Sequence, residues 1–118
     1  MTIFRFSALT CSFFALAGCA DNMPRYETEI GQILRSPNHA EGAARLQRFV
    51  DMRHGNRTAL RQVLGSAGFT SSTYRNEQNI DCENFYWKGK PWGSIFYSVF
   101  IAEICGQQVT TNAGAIAP

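Results

Sequence analysis

Two hydrophobic periods run along this chain, and the switch between them near Phe69 separates predicted helices from predicted strands. Tyr26, Ile30, Ile33 and Leu34 form a short helix-spaced stripe, which Gly31 weakens. Ser36-Pro37-Asn38 then breaks the pattern, and Asn38 followed by Glu41 has the spacing of a capping box. A second helix is predicted from about His39 to Met52, with Ala43, Leu46, Phe49 and Val50 inward and Arg45, Arg48 and Asp51 outward. After His54-Gly55-Asn56, a third helix carries Leu60, Val63, Leu64 and Ala67 on one face. Gly68 suits the left-handed position that ends it, with Phe69 folding back on Leu64.

Beyond Phe69 the period shortens to two. Thr70 to Tyr74 reads as an exposed strand, Arg75 to Asp81 as a polar loop, and Phe85-Tyr86-Trp87 as a strand ending at the turn Lys88-Gly89-Lys90-Pro91. Ser94 to Cys105 is the strongest strand, with Ile95, Tyr97, Val99 and Ile101 on one face and Phe96, Phe100, Ala102 and Ile104 on the other. Apolar residues on both faces make this strand central, or covered by helices on one side and by lipid or a partner on the other. Gln107 to Thr111 adds an edge strand, and residues 112–118 read as a flexible tail. The expected fold is α+β, with two or three short N-terminal helices packed on one face of a three- to four-stranded antiparallel sheet. One domain accommodates it, over residues 26–111.

The N-terminus has a different character. Arg5 is the only charge ahead of an uncharged run from Phe6 to Ala20, the layout of a secretory signal peptide and shorter than the about 20 residues of a membrane-spanning helix. Leu16-Ala17-Gly18-Cys19 closes that run and resembles the lipobox of bacterial lipoproteins. The resemblance implies a diacylglycerol on Cys19, removal of residues 1–18, and a tether at 19–25 that holds the domain to a membrane by its lipid. Ala20, rather than Asp, follows the Cys. That resembles the pattern sorted to the outer rather than the inner membrane.

An exported address changes the meaning of the four cysteines. Cys11 leaves with the signal peptide and Cys19 carries lipid, so Cys82 and Cys105 remain as an expected disulfide. The chain-entropy model values that loop closure at about 3.5 kcal/mol. A hairpin turning near Gly89 to Pro91 would set Cys82 opposite a residue close to Val99. Cys82 is therefore expected in the loop before its strand.

Charge is uneven. Arg35, Arg45, Arg48, Arg53, Arg57 and Arg61 face only Glu41 and Asp51 within the span they define, whereas the C-terminal half is mildly acidic. Outside the cytoplasm nucleic acid is set aside as a partner. Anionic headgroups or an acidic protein remain as ligands, against a solvated face whose arginines pair locally. Asp51 and His54 are spaced for general-base chemistry, but His54 beside Gly55 also suits a cation at a helix end. His39 and His54 match no metal spacing, so no catalytic residue, metal or cofactor is expected.

Gly55-Asn56-Arg57-Thr58, Val63-Leu64-Gly65 and the aromatic strand at Tyr86-Trp87 resemble the SmpA/OmlA family across residues 49–101. The resemblance implies an outer-membrane lipoprotein acting as an accessory subunit of β-barrel assembly. Two departures are visible: Ser66-Ala67-Gly68-Phe69 stands where a Pro usually follows Leu-Gly, and the cysteine pair has no counterpart. The expected function is binding, as a scaffold that contacts an envelope protein through Tyr86, Trp92 and Tyr97 with Arg45 and Arg48. The alternatives are a small periplasmic inhibitor resembling those of lysozymes or β-lactamases, and then an enzyme of unknown type.

Overall fold

Polar caps set the helix boundaries in the computed structural model, which describes residues 23–91 and 95–117. Helix α1 (Glu29–Leu34) starts where the Thr28 hydroxyl accepts from the Gly31 N–H. Helix α2 (His39–Asp51) starts where Asn38 Oδ1 accepts from the Glu41 N–H at 2.8 Å. Helix α3 (Arg57–Ser66) is capped likewise by Asn56. Its end is the expected Schellman motif. Gly68 has φ +103°, its N–H donates to the Gly65 carbonyl, and the Phe69 N–H donates to that of Leu64.

Four strands follow: β1 (Thr70–Arg75), β2 (Asp81–Gly89), β3 (Tyr97–Cys105) and β4 (Gln108–Ile116). They form an antiparallel meander in the order β1-β2-β3-β4. The helices lie on one face, giving the α+β architecture expected. Trp87, Phe85, Phe100, Ala102 and Ile104 meet Leu46, Val50, Leu60 and Leu64 in the core, with Trp87 edge-on to Phe100. Thr111 Oγ1 donates to the Ala43 carbonyl, and Gln47 Nε2 donates to that of Val109, fixing α2 over β4.

The structure corrects three boundaries. Cys82 lies within β2, not in the loop before it, and sits directly opposite Cys105 with Cα atoms 4.2 Å apart, joined as a disulfide. The β2–β3 connection is longer than a tight turn at Gly89 to Pro91, so β3 begins at Tyr97 and Lys88, rather than Cys82, pairs with Val99. That slip is an even number of residues, so the residues within β3 keep their expected faces, whereas Ile95 and Phe96, expected on its two faces, precede the strand and are exposed. Secondly, β4 continues through Ile116. Residues 112–116 are strand rather than tail, because backbone pairing to the N-terminal half of β3 does not need bulky side chains. Thirdly, the fold begins ahead of Tyr26. Met23 packs on the core, and the Pro24 carbonyl accepts from Arg35 Nη2 at 3.0 Å, which draws the start of the expected tether into the domain.

Candidate functional site

Alternation along the strands sends half of the sheet's side chains away from the helices. On that open face lie Tyr74 of β1, Tyr86 and Lys88 of β2, Tyr97, Val99, Ile101 and Glu103 of β3, and Asn112, Gly114 and Ile116 of β4. Tyr86 is 37% exposed, Tyr74 46% and Ile116 41%, while Tyr97, Val99 and Ile101 are half-buried. Gly114 stands opposite Val99 with open space where a Cβ would be. Its missing side chain opens a shallow groove of about 200 Å³ bordered by Val99, Ile101, Asn112 and Ile116.

Polar groups frame these apolar residues. Lys88 Nζ and Lys90 Nζ lie 4.4 Å and 4.7 Å from the Tyr97 ring centroid, in cation–π range. The Tyr74 hydroxyl donates to Glu103 Oε2 across the face. That hydrogen bond, with burial and the carboxylate's charge adding to it, pushes the Tyr74 phenol above its ordinary value. The Cys82–Cys105 disulfide staples the same end of the face. The surface is thus aromatic and aliphatic at its centre and polar at its rim.

Of the residues expected to meet a partner, Tyr86 and Tyr97 share this face, and Trp92 lies outside the described residues, as does the lipobox. Arg45 and Arg48 are on α2, across the sheet, and do not join it. A helix that buries Leu46, Phe49 and Val50 against the sheet carries its polar side on the far surface of the molecule. Tyr74, Val99, Ile101 and Ile116 complete the patch. The first three were legible as strand residues. Ile116 was hidden by the low strand propensity of Asn112 to Gly114.

The arginine series does not form one patch. Arg35 donates to the Gly31 and Pro24 carbonyls, Arg45 to Ser36 Oγ, and Arg53 to Glu29 and the Phe49 carbonyl while stacking over the Phe49 ring. Arg57 and Arg61 converge on Glu83, which is 4% exposed, at 3.2 Å and 2.7 Å. Burial raises the Glu83 carboxyl, but the hydrogen bonds and charges of Arg61 and Arg57 outweigh it and hold the group below the ordinary carboxylate range. Local pairing therefore accounts for most of the series, and Arg48 is exposed.

No family model matches this chain, and neither does any curated protein or solved structure.

Each of the catalytic and metal candidates has a hydrogen bond of its own. His39 shares a hydrogen bond with Ser98 Oγ at 3.1 Å and stands edge-on to Phe100, tying the start of α2 to β3. Asp51 accepts from Gln47, and His54 lies beyond the helix end, where its backbone N–H donates to the Val50 carbonyl. Among the described residues no three His, Cys, Asp or Glu side chains are grouped to hold a metal ion, and no helix is long and apolar enough to cross a membrane.

Proposed function

We propose that this chain is a lipid-anchored binding lipoprotein on the periplasmic side of a bacterial envelope, at the outer rather than the inner membrane. It serves as an accessory or scaffold subunit and holds an envelope protein against the open face of its sheet. The observation that carries the reading is that face: three tyrosines and three aliphatic residues, stapled by a disulfide and left uncovered by the helices. Leu16-Ala17-Gly18-Cys19 supports the anchor. Cys19 stands only four positions before Met23, which packs on the core, so a lipid there would keep the face close to the membrane.

The test is a pair of measurements on the full-length protein in membranes. Tyr86→Ala should weaken capture of the envelope partner by about 2 kcal/mol or more, the signature of an interface hot spot, while thermal unfolding shifts little. A Tyr86 variant that unfolds the domain, or that captures the partner as well as the parent, would remove the face from the reading. Cys19→Ser should abolish labelling by a palmitate analogue, and equal labelling would remove the anchor.

A further inference from the structure

The two edges of the sheet are finished differently. At β4, the Val109 carbonyl accepts from Gln47 Nε2 and the Ala113 N–H donates to Asn112 Oδ1, both at 2.9 Å, so side chains occupy part of that edge. Among the described residues strand β1 has no such cover, and all six of its own residues are exposed. Its hydrogen-bond phase follows from the hairpin end, where the Asn76 N–H donates to the Ile80 carbonyl at 3.0 Å. Carrying that alternation along the register makes Tyr74–Cys82, Ser72–Asn84 and Thr70–Tyr86 the bonded pairs. The backbone N–H and C=O groups of Ser71, Thr73 and Arg75 therefore point outward, away from the sheet.

Beside this edge, on the helix side, lies a cleft of about 500 Å³ whose charged lining is Arg57, Arg61, Arg75, Asp81 and Glu83. Three guanidiniums meet two carboxylates there. Glu83 is held by Arg57 and Arg61, and Asp81 lies 3.1 Å from Arg75 Nε. One positive charge is left over, and the buried Arg57 Nε–H has no acceptor among the described residues. Thr73 and Arg75 have their side chains on the cleft side of β1, so the open backbone edge and the basic cleft form one continuous surface.

We propose that β1 receives an extended acidic segment of a partner protein, which adds antiparallel as a fifth strand and sets acidic side chains from alternate residues into the arginine cleft. An anion such as phosphate would use the arginines and leave the strand edge idle. A second copy pairing β1 with β1 would drive two clusters of like charge together. An acidic strand satisfies both features at once. This site is separate from the open face and does not rest on the reading of that face.

The test titrates the full chain, in detergent micelles, with an end-blocked heptapeptide Thr-Glu-Thr-Glu-Thr-Glu-Thr. In an antiparallel narrow pair, residues opposite Ser71, Thr73 and Arg75 share their face, so the glutamates both enter the cleft and direct their own backbone groups at β1. The peptide should bind saturably and shift the amide resonances of Ser71, Thr73 and Arg75. Replacing Glu by Lys, or N-methylating the glutamates, should weaken it by about tenfold or more, whereas N-methylating the threonines should change it little. Thr73→Pro removes an N–H that the sheet does not use, and should abolish binding without lowering the unfolding temperature. No saturable binding up to about 1 mM overturns the proposal. So does equal binding of the two N-methylated peptides, or displacement of the peptide by inorganic phosphate with no effect of glutamate N-methylation, which would make the cleft an anion site only.

Discussion

Replacing a helical glycine by alanine ordinarily stabilises a protein by about 1 kcal/mol, through the helix propensity that alanine adds. At Gly31 the sign should reverse. A Cβ there would be driven into the Arg25 carbonyl oxygen, well inside van der Waals contact, and would lie 2.8 Å from Thr28 Oγ1. The entry turn would have to open. Three hydrogen bonds are at stake: Thr28 N–H to the Arg25 carbonyl at 3.2 Å, the Thr28 hydroxyl to the same carbonyl at 2.7 Å, and the Gly31 N–H to Thr28 Oγ1 at 3.0 Å. At about 1 kcal/mol net each they outweigh the alanine gain, leaving a loss of about 2 kcal/mol. Detaching α1 instead would expose Ile30, Ile33 and Leu34, all buried, at about 1.5–3 kcal/mol apiece, so opening the turn is the cheaper response. Gly65 in α3 is the matched control, because nothing lies within 4 Å of its Cβ position. In thermal unfolding followed by circular dichroism, Gly31→Ala should melt about 10 °C below the parent and Gly65→Ala slightly above it. If Gly31→Ala is as stable as Gly65→Ala, the close approach of the Arg25 carbonyl does not exist in solution.

Two further outcomes follow from the same structure. The Glu83 carboxyl has its folded value depressed, so its contribution is fully present above the ordinary carboxylate range and is lost as pH falls through the folded value. Acid unfolding of the parent should therefore steepen below pH about 4.3, and Glu83→Gln should flatten that slope even as it lowers stability at neutral pH. An unchanged slope would refute the depressed value. Removing the bridge by Cys82→Ala or Cys105→Ala should destabilise the domain by about 2–5 kcal/mol. Alkylation of both thiols in the native protein without reductant would show that the bridge is absent.

Local chemistry was legible in the residues themselves. Asn38 and Gly68 mark their helix ends through hydrogen bonds made within a few positions of chain, so no distant contact could move them. Side-chain alternation in Tyr97 to Cys105 already separated Phe100 and Ala102 from Val99 and Ile101, and with them the covered face from the open one. Register, extent and neighbourhood were decided only by tertiary structure. The pairing of Cys82 with Cys105 depends on the length of the β2–β3 connection, which period-two patterning does not encode, since an even slip leaves every face unchanged. Gly31 read as a weak helix residue until the Arg25 carbonyl was found against it. Arg57 and Arg61 read either as anion ligands or as locally paired charges, and their shared partner Glu83 is set by the tertiary fold, which brings α3 beside the β1–β2 hairpin more than 20 positions along the chain. Charge and period belong to single residues and short windows. The open face and the cleft beside β1 belong to the way separate elements come to share one surface.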